Sequence, residues 1–227
     1  MTIRDPVRRP AVAALLELVL PGGCAGCRAG PAPWCAACSA TIGPATVPAV
    51  NGPPVLAVGR YRGPLRHALL RYKERNRRDL AVALAGLLGT ALDRVAPAPG
   101  SVWLVPAPSR SVAARPRGGD HMARLCRSVA AGRTEVHVAA VLRLRRGVVE
   151  SVGLDAAQRA ANLAGGVLVR PGRLPPPEAT VVLVDDVVTT GATLRSCAAA
   201  LASTGRAVRA AIVLCDATPR RHTVEGM

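Results

Sequence analysis

Residues 181–194 read VVLVDDVVTTGATL, and the predicted architecture of the whole chain can be built outward from them. Val181–Val184 is an apolar, mostly β-branched run without alternation, which is typical of a parallel strand buried on both faces. After an acidic pair comes the short loop Thr189–Thr193, and apolar residues then recur at the spacing of one helical face. The stretch therefore predicts a strand, a tight loop and a helix that ends near Gly205.

The Thr189–Thr193 loop has the features of a phosphate site. Open α/β sheets place their ligands at the carboxyl ends of the strands, and the backbone N–H groups that open a helix attract anions. The threonines of the loop add hydroxyl donors. Asp185 and Asp186 lie just before it, and carboxylates there suit a ligand that presents hydroxyl groups beside its phosphate, as a ribose 5-phosphate does.

Three other interpretations of Asp185 and Asp186 compete with a sugar-phosphate site. A Walker B element would require a GxxxxGK[ST] loop, which the sequence does not contain; Lys73 is the chain's only lysine. The acid pocket of a phospho-receiver domain would require more chain than residues 187–227 provide. The third alternative is a solvated loop without a function.

Residues 183–193, LVDDVVTTGAT, resemble the phosphoribosyl-pyrophosphate (PRPP) fingerprint of the type I phosphoribosyltransferases. The resemblance implies that Asp185 and Asp186 are the catalytic pair and bind the 2- and 3-hydroxyls of the ribose. It also implies that the loop after them holds the 5-phosphate. The implied PRPP-binding residues are Val184, Asp185, Asp186, Val187, Thr189, Thr190, Gly191, Ala192 and Thr193.

Four cysteines near the start of the chain form two CxxC pairs, Cys24 with Cys27 and Cys35 with Cys38. Each CxxC turn directs two thiolates at one point, and tetrahedral Zn²⁺ takes four such ligands. Disulfides are the weaker alternative in a reducing cytoplasm. We therefore predict a closed structural zinc site in a small unit that has little core of its own.

The length of 227 residues predicts one α/β domain of ordinary size with a small appendage. Residues 1–50 are expected to hold a helix, a zinc knuckle or ribbon and a linker, and residues 51–227 the main domain. Strands alternate with helices from residue 55 to 215, which predicts a parallel sheet with helices on both faces. Strands are predicted at 55–61, 102–105, 138–142, 167–169, 181–184 and 208–214, helices at 80–95, 122–131 and 156–163, and a linker at 39–54.

The net charge of +16 favours phosphorylated or polyanionic partners, although a general arginine bias spread over the surface would give the same value. A dense basic patch covers residues 71–78. Aromatic residues are only 2% of the chain, so few side chains could stack on nucleic-acid bases. His121 begins a predicted helix, a position where a lone histidine is more often structural than a ligand or a base.

No stretch approaches the roughly 20 apolar residues of a membrane span. Residues 11–20 are similar to a signal peptide, but they include Glu17, lack an A-x-A cleavage site and lead directly into the paired cysteines. We expect a short amphipathic helix there and a cytoplasmic protein.

The order of further motifs along the chain is also informative. The paired cysteines are followed by Tyr-x-Gly-x-Leu-Arg…Lys at 61–73, V-P-x-P at 105–108, Arg-x-x-x-x-Arg-x-Arg-Gly at 110–118 and Arg-x-x-Asn at 159–162. With the acidic block, this order resembles the ComF family, the competence-associated phosphoribosyltransferase-like proteins that include GntX-like members. The resemblance covers nearly the whole chain and implies the fold of a type I phosphoribosyltransferase.

The ComF resemblance also implies further site residues. Residues 143–154 would form a mobile hood over the substrate, and Mg²⁺ would accompany PRPP. The implied pyrophosphate loop is Pro106, Ala107, Pro108, Ser109 and Arg110, and the implied anion contacts are Lys73, Arg115, Arg117 and Arg159. The chain departs from the family pattern at Ser151 and at 117–120, where the second substrate would bind.

Two functions are consistent with this sequence. The first is an enzyme that transfers phosphoribosyl from PRPP to an acceptor and releases pyrophosphate. The alternative, implied by the ComF resemblance and permitted by the charge, is a non-catalytic protein that binds single-stranded DNA during DNA uptake. The sequence names neither the acceptor nor the oligomeric state.

Overall fold

The computed structural model describes residues 23–47, 52–96, 100–108, 120–145, 166–170, 172 and 174–219. The strands in this part of the chain are β1 (Ala45–Val47), β2 (Val55–Arg60), β3 (Val102–Pro106), β4 (Val136–Val138), β5 (Leu142–Leu144), β6 (Val167–Val169), β7 (Thr180–Val188) and β8 (Val208–Asp216). The helices are α1 (Ala36–Ala40), α2 (Gly63–Glu74), α3 (Ala81–Val95), α4 (His121–Ala130) and α5 (Ala192–Ala202), with a 3₁₀ turn at Arg78–Leu80.

Six of these strands form one sheet in the order β1-β2-β8-β7-β3-β4. Strand β1 is antiparallel to β2, and every other pair in the sheet is parallel. Strands β5 and β6 form a separate antiparallel pair. The predicted α/β class with a mostly parallel sheet is therefore confirmed.

Helices cover both faces of this sheet. On one face α2, α3 and α4 pack residues such as Leu69, Leu88 and Leu125 against the strands. On the other face α5 packs Leu201, together with residues of the β5–β6 pair such as Leu142. The absence of Phe is compensated by Leu, Val and Ala, which fill both layers.

Strand β7 is the central element, because it pairs with β3 on one side and β8 on the other. Val181–Val184 is buried on both faces, as the unbroken apolar run predicts. The strand is longer than predicted, since it continues through the acidic pair to Val188. The reason is that β8 supplies pairing partners as far as Val188, which lies opposite Asp216.

Strand β3 ends level with the residue that precedes the acidic pair. Pro106, the last residue of β3, lies opposite Val184, and the Ala107 N–H still donates to the Val184 carbonyl at 2.8 Å. Pro108 follows and has no N–H to continue the ladder. Beyond Val184, β7 therefore keeps its ladder partner on the β8 side alone among the described strands.

Two of the sequence-based element predictions are wrong. The strand predicted at 138–142 is split, because β4 pairs with β3 and ends at Val138, whereas β5 begins at Leu142 and pairs with β6. Part of the linker predicted at 39–54 is a strand, since β1 extends the edge of the main sheet. Strand pairing at a sheet edge depends on the neighbouring strand, so local composition does not reveal it.

Several predictions lie outside the described residues. These are the amphipathic helix at 11–20, the helix at 156–163, residues 146–154 of the hood, and the site residues Ser109, Arg110, Arg115, Arg117 and Arg159. Among the helices that the structure describes, none is long and apolar enough to cross a membrane.

Candidate functional site

The Asp186 carboxylate lies in contact with two side chains from the helices on its face of the sheet. Its Oδ2 atom accepts a hydrogen bond from Lys73 Nζ at 2.6 Å and lies 2.9 Å from His121 Nε2. The three side chains keep 15% (Asp186), 30% (Lys73) and 20% (His121) of their surface exposed. They form a partly open cluster of charged and polar groups at the carboxyl edge of the sheet.

Helix ends place both partners at Asp186. Lys73 lies in the last turn of α2, and His121 is the first residue of α4. The Asp120 side chain caps α4 by accepting from the Met122 N–H at 2.9 Å, which fixes the start of the helix. The Tyr72 hydroxyl donates to the His121 carbonyl at 3.3 Å and so joins the two helix ends.

Asp185 has different surroundings, because alternation along β7 turns its side chain to the opposite face. Its Oδ1 atom accepts from the Asp186 N–H at 2.8 Å, and no cation pairs with it among the described side chains. Burial, together with repulsion from Asp186, raises the pKa of Asp185 to about 7. Burial acts in the same direction on Asp186, but the hydrogen bonds from His121 and Lys73 outweigh it and lower that pKa.

The loop after β7 turns sharply into α5. Gly191 has a φ of +70°, the left-handed conformation that glycine adopts without strain. The Thr190 hydroxyl accepts from the Ala192 N–H at 3.4 Å. Thr189 and Thr190 are exposed and Thr193 is half-buried. The loop therefore brings hydroxyl groups and the first N–H groups of an 11-residue helix to the carboxyl edge of the sheet.

Arg195 is a residue of this loop region that the sequence analysis missed. Its Nη1 atom donates to the Thr190 carbonyl at 2.8 Å and would lie 3.3 Å from a Cβ placed on Gly191. A cation in the first turn of a helix opposes the helix dipole. That unfavourable position was the available sequence signal for Arg195.

A second feature that the sequence did not reveal is a cavity of about 890 Å³ beside the loop. Arg60, at the end of β2, forms an ion pair with Asp216, at the end of β8. Asp216 is the one charged side chain that is buried among the described residues. The pair lines the cavity together with Thr190, Gly191 and Arg195. The two partners are 156 positions apart, so no local pattern identifies them.

The structure describes only some of the other predicted site residues. Pro106 and Ala107 lie at the end of β3 next to β7, and Pro108 follows them. Lys73, predicted as an anion contact, is paired with Asp186 in this structure. The remaining predicted anion contacts lie outside the described residues. Their roles stay predictions.

The four cysteines of the predicted zinc site converge. Their sulfur atoms all lie within 4.8 Å of one another, with Cys24 and Cys38 at 3.6 Å and Cys27 and Cys35 at 3.7 Å. A tetrahedral site with Zn–S bonds of about 2.3 Å separates its sulfurs by about 3.8 Å. The geometry therefore fits one zinc ion held by four thiolates.

Backbone N–H groups favour the thiolate form of Cys24, whereas burial and the neighbouring sulfur atoms raise the pKa of Cys38. Gly26 and Cys35 donate to Cys24 Sγ, both at 3.4 Å, and Cys38 donates to Cys35 Sγ at 3.4 Å. Burial opposes ionisation of the Cys24 thiol, but the amide donors outweigh it and lower its pKa to about 6. Zinc ligands must be deprotonated, so this environment suits a metal site.

The cysteine cluster leads to a prediction about metal content. The purified chain should carry one zinc ion, and Cys38→Ala should lose it and unfold at a lower temperature, because three thiolates leave the site open. Metal analysis and thermal unfolding measure both effects. Cys126→Ala is the control, since Cys126 is buried in the core under α4 and its loss should leave the zinc in place. A zinc-loaded Cys38→Ala protein would contradict the assignment.

The opposite pKa shifts of the acidic pair predict opposite effects of pH on stability. The folded pKa of Asp185 is raised above its ordinary value of 3.8, so the folded chain binds the proton more tightly and loses stability as pH rises from about 4 to 7. Asp185→Asn removes the titrating group and with it this loss. As pH rises through that window, the free energy of unfolding of the variant should increase relative to that of the wild type by up to about 1.4 kcal/mol per pH unit.

Asp186→Asn is the comparison for that experiment. The folded pKa of Asp186 is lowered, so its ion pair stabilises the fold above the ordinary pKa, and the benefit is lost as pH falls. This variant should therefore be less stable than the wild type at pH 7. Urea unfolding between pH 4.5 and 7.5 measures both differences, and parallel curves for the wild type and Asp185→Asn would refute the assignment.

Comparison with known proteins gives only distant similarity. No protein-family model matches the chain, and no curated protein matches it. It is similar to a solved hypoxanthine phosphoribosyltransferase from Staphylococcus aureus at 16% identity, covering 64% of this chain and 69% of that chain, with a TM-score of 0.37. A hypoxanthine phosphoribosyltransferase from Trypanosoma cruzi matches at 17% identity, covering 66% and 72%, with a TM-score of 0.34. TM-scores this low carry no argument from those proteins to this one.

Proposed function

We propose that this chain binds PRPP, or another ligand built on ribose 5-phosphate, and transfers the phosphoribosyl group to an acceptor with release of pyrophosphate. The observation that carries the proposal is the junction of β7 and α5. There an acidic pair and a hydroxyl-rich loop with a left-handed glycine follow one another at the carboxyl edge of the sheet.

The loop would hold the 5-phosphate. Its N–H groups and hydroxyls are donors, and the guanidinium of Arg195 lies against it through the Thr190 carbonyl. A phosphate bound there would be favoured by the positive end of α5. Glycine is required at position 191, because its φ of +70° is left-handed and strains other residues.

The acidic pair would orient the ribose. Asp185 and Asp186 accept hydrogen bonds when ionised, and the 2- and 3-hydroxyls of a ribose are donors. Charge-assisted hydrogen bonds of this kind are worth roughly 1.5–3 kcal/mol each. Asp186 already has two donors, so the ribose hydroxyl would join or replace Lys73 or His121 at its carboxylate.

The leaving pyrophosphate needs positive charge. Lys73 has further N–H donors besides the one that contacts Asp186, and these would meet the pyrophosphate. Mg²⁺, which prefers one or two carboxylates together with substrate phosphates, would neutralise the pyrophosphate as it leaves. Asp185 and Asp186 are the carboxylates that would bind this ion.

We further propose that the chain is a ComF-family member that works in the cytoplasm. The support is the motif order in the sequence together with the convergence of the four cysteine sulfurs. Free thiols that bind zinc are typical of a reducing compartment.

Calorimetry with PRPP and Mg²⁺ tests the proposed function. The zinc-loaded wild type should bind, and an Asp185→Ala, Asp186→Ala double variant should bind at least about tenfold more weakly, because charge-assisted hydrogen bonds to the ribose are lost. Asp93→Asn is the matched control, since Asp93 is an exposed acid whose ion pair with Arg133 lies away from the loop. Equal affinity of the double variant and the wild type would overturn the site.

Binding of single-stranded DNA is a second candidate function, and a basic and aromatic patch favours it. Arg66 lies over the ring of Tyr61, 5.5 Å from its centroid, and Arg62 is exposed beside it. Such a pair of arginines with an aromatic ring can contact phosphates and stack on a base. The net charge of +16 would strengthen the attraction.

Salt dependence distinguishes this candidate from an unused basic surface. Affinity for an oligothymidylate should fall steeply between low and physiological salt, because phosphate contacts release counterions. An Arg62→Gln, Arg66→Gln double variant should bind more weakly and show a shallower dependence in a fluorescence anisotropy titration. Affinity that does not change with salt would exclude this function.

A further inference from the structure

The cysteine unit is fastened to α2 by side chains that reach consecutive backbone carbonyls. Arg71 Nη1 donates to the Ala25 carbonyl at 2.9 Å and to the Cys24 carbonyl at 3.3 Å. His67 Nδ1 lies 3.2 Å from the Gly26 carbonyl. From just beyond the helix, Arg77 Nη2 donates to the Gly23 carbonyl at 3.3 Å. Three of the four carbonyls belong to the first CxxC turn and the fourth, of Gly23, directly precedes it, so these contacts hold the loop that carries two of the thiolates.

Close packing adds to these hydrogen bonds. A Cβ placed on Gly26 would lie 2.6 Å from Cys38 Sγ and 2.7 Å from Pro64 Cβ, so the backbone of the first CxxC turn fits between the second pair and the start of α2. Ala25 is fully buried in the same cluster of core residues as Leu69 and Tyr72. These contacts are kept only if the first CxxC turn keeps its conformation.

The same helix carries Lys73 to Asp186 on its other side. Arg71 and Lys73 are two positions apart, so their side chains leave the helix about 200° apart. Arg71 contacts the cysteine unit, and Lys73 contacts the carboxylate of β7. The last turn of α2 therefore lies between the cysteine unit and the acidic pair.

We propose that the four-cysteine unit positions Lys73, so that its metal occupancy sets how firmly Lys73 is held at Asp186. The ion holds the first CxxC loop, the loop carbonyls hold Arg71, and Arg71 fixes the rotation of the last turn of α2. Loss of the metal releases the carbonyls and with them the ammonium of Lys73. Arg71 acts as a positioning residue and touches no ligand itself.

A consequence for ligand binding rests on the function proposed above. If PRPP uses Lys73 and Asp186, a metal-free chain should bind it more weakly, although the cysteines would not contact the ligand. The site would then respond to zinc supply or to oxidation of the thiols. The placement of Lys73 can be measured without any ligand.

Lys73 is the only lysine of the chain, so amine labelling gives a direct readout. We would acetylate the folded, zinc-loaded protein with an N-hydroxysuccinimide ester and follow Lys73 by peptide mass spectrometry, which separates it from the N-terminal amine. Arg71→Gln and chelator-treated wild type should label Lys73 several-fold faster than the untreated wild type, because the hydrogen bond to Asp186 opens more often. Arg71→Lys, which keeps a donor for the carbonyls, should give an intermediate rate at Lys73, and fragment ions separate Lys73 from the amine that this substitution adds.

Arg75→Gln is the control with the same change of charge, since Arg75 is exposed just after the helix, two positions from Lys73. It should label at the wild-type rate. Wild-type labelling in a folded, zinc-loaded Arg71→Gln protein would overturn the proposal. Should that variant fail to fold, the Arg71→Lys and chelator experiments decide, and unchanged labelling in both would overturn it equally.

A double-mutant cycle then tests the consequence for ligand binding. Arg71→Gln should weaken PRPP binding several-fold while zinc is retained, and should have little further effect in a Lys73→Met background. An equal loss of PRPP affinity with Lys73 and with Lys73→Met would show that Arg71 acts without Lys73 and would overturn the proposal. If the wild type does not bind PRPP, the proposed function fails, while the labelling experiment still decides the role of the cysteine unit.

Discussion

The contact of the Asp186 carboxylate with Lys73 and His121 is the interaction on which the arrangement of the site depends. A carboxylate in a mostly buried position is costly unless it is paired and hydrogen-bonded. Here the partners come from the ends of α2 and α4. The contacts with this one carboxylate therefore hold both helix ends against β7. If the proposed ligand binds at this edge of the sheet, it would meet donors that are already in place.

The two acids of the pair differ because a strand alternates. Asp186 faces the helices and is held ionised by two donors, whereas Asp185 faces the other side with a backbone N–H as its partner and a raised pKa. Adjacent residues of the same type thus differ in protonation near neutral pH. Pairs of carboxyl groups whose surroundings separate their pKa values are common at sites that handle polar ligands.

The cysteine unit is more closely joined to the rest of the chain than its sequence suggests. Composition predicts a small appendage and a linker, but β1, inside that linker, extends the main sheet. The CxxC loop in turn packs on α2 through Arg71 and Gly26. The proposed link from the cysteine unit to Lys73 runs through this one helix. The boundary predicted near residue 50 stays a prediction.

The sequence by itself determined the local pieces: a strand, an acidic pair, a phosphate-type loop and a helix over residues 181–194, and four cysteines at metal-ligand spacing. These follow from hydrophobic runs, glycine and short ligand spacings, which act between near neighbours. Only the tertiary structure decided which side chains meet. Lys73 and His121 are 113 and 65 positions from Asp186, and Arg60 is 156 from Asp216. Such partners are chosen by strand order and helix docking, because a contact between distant residues depends on the assembled sheet and leaves no periodic trace in the sequence.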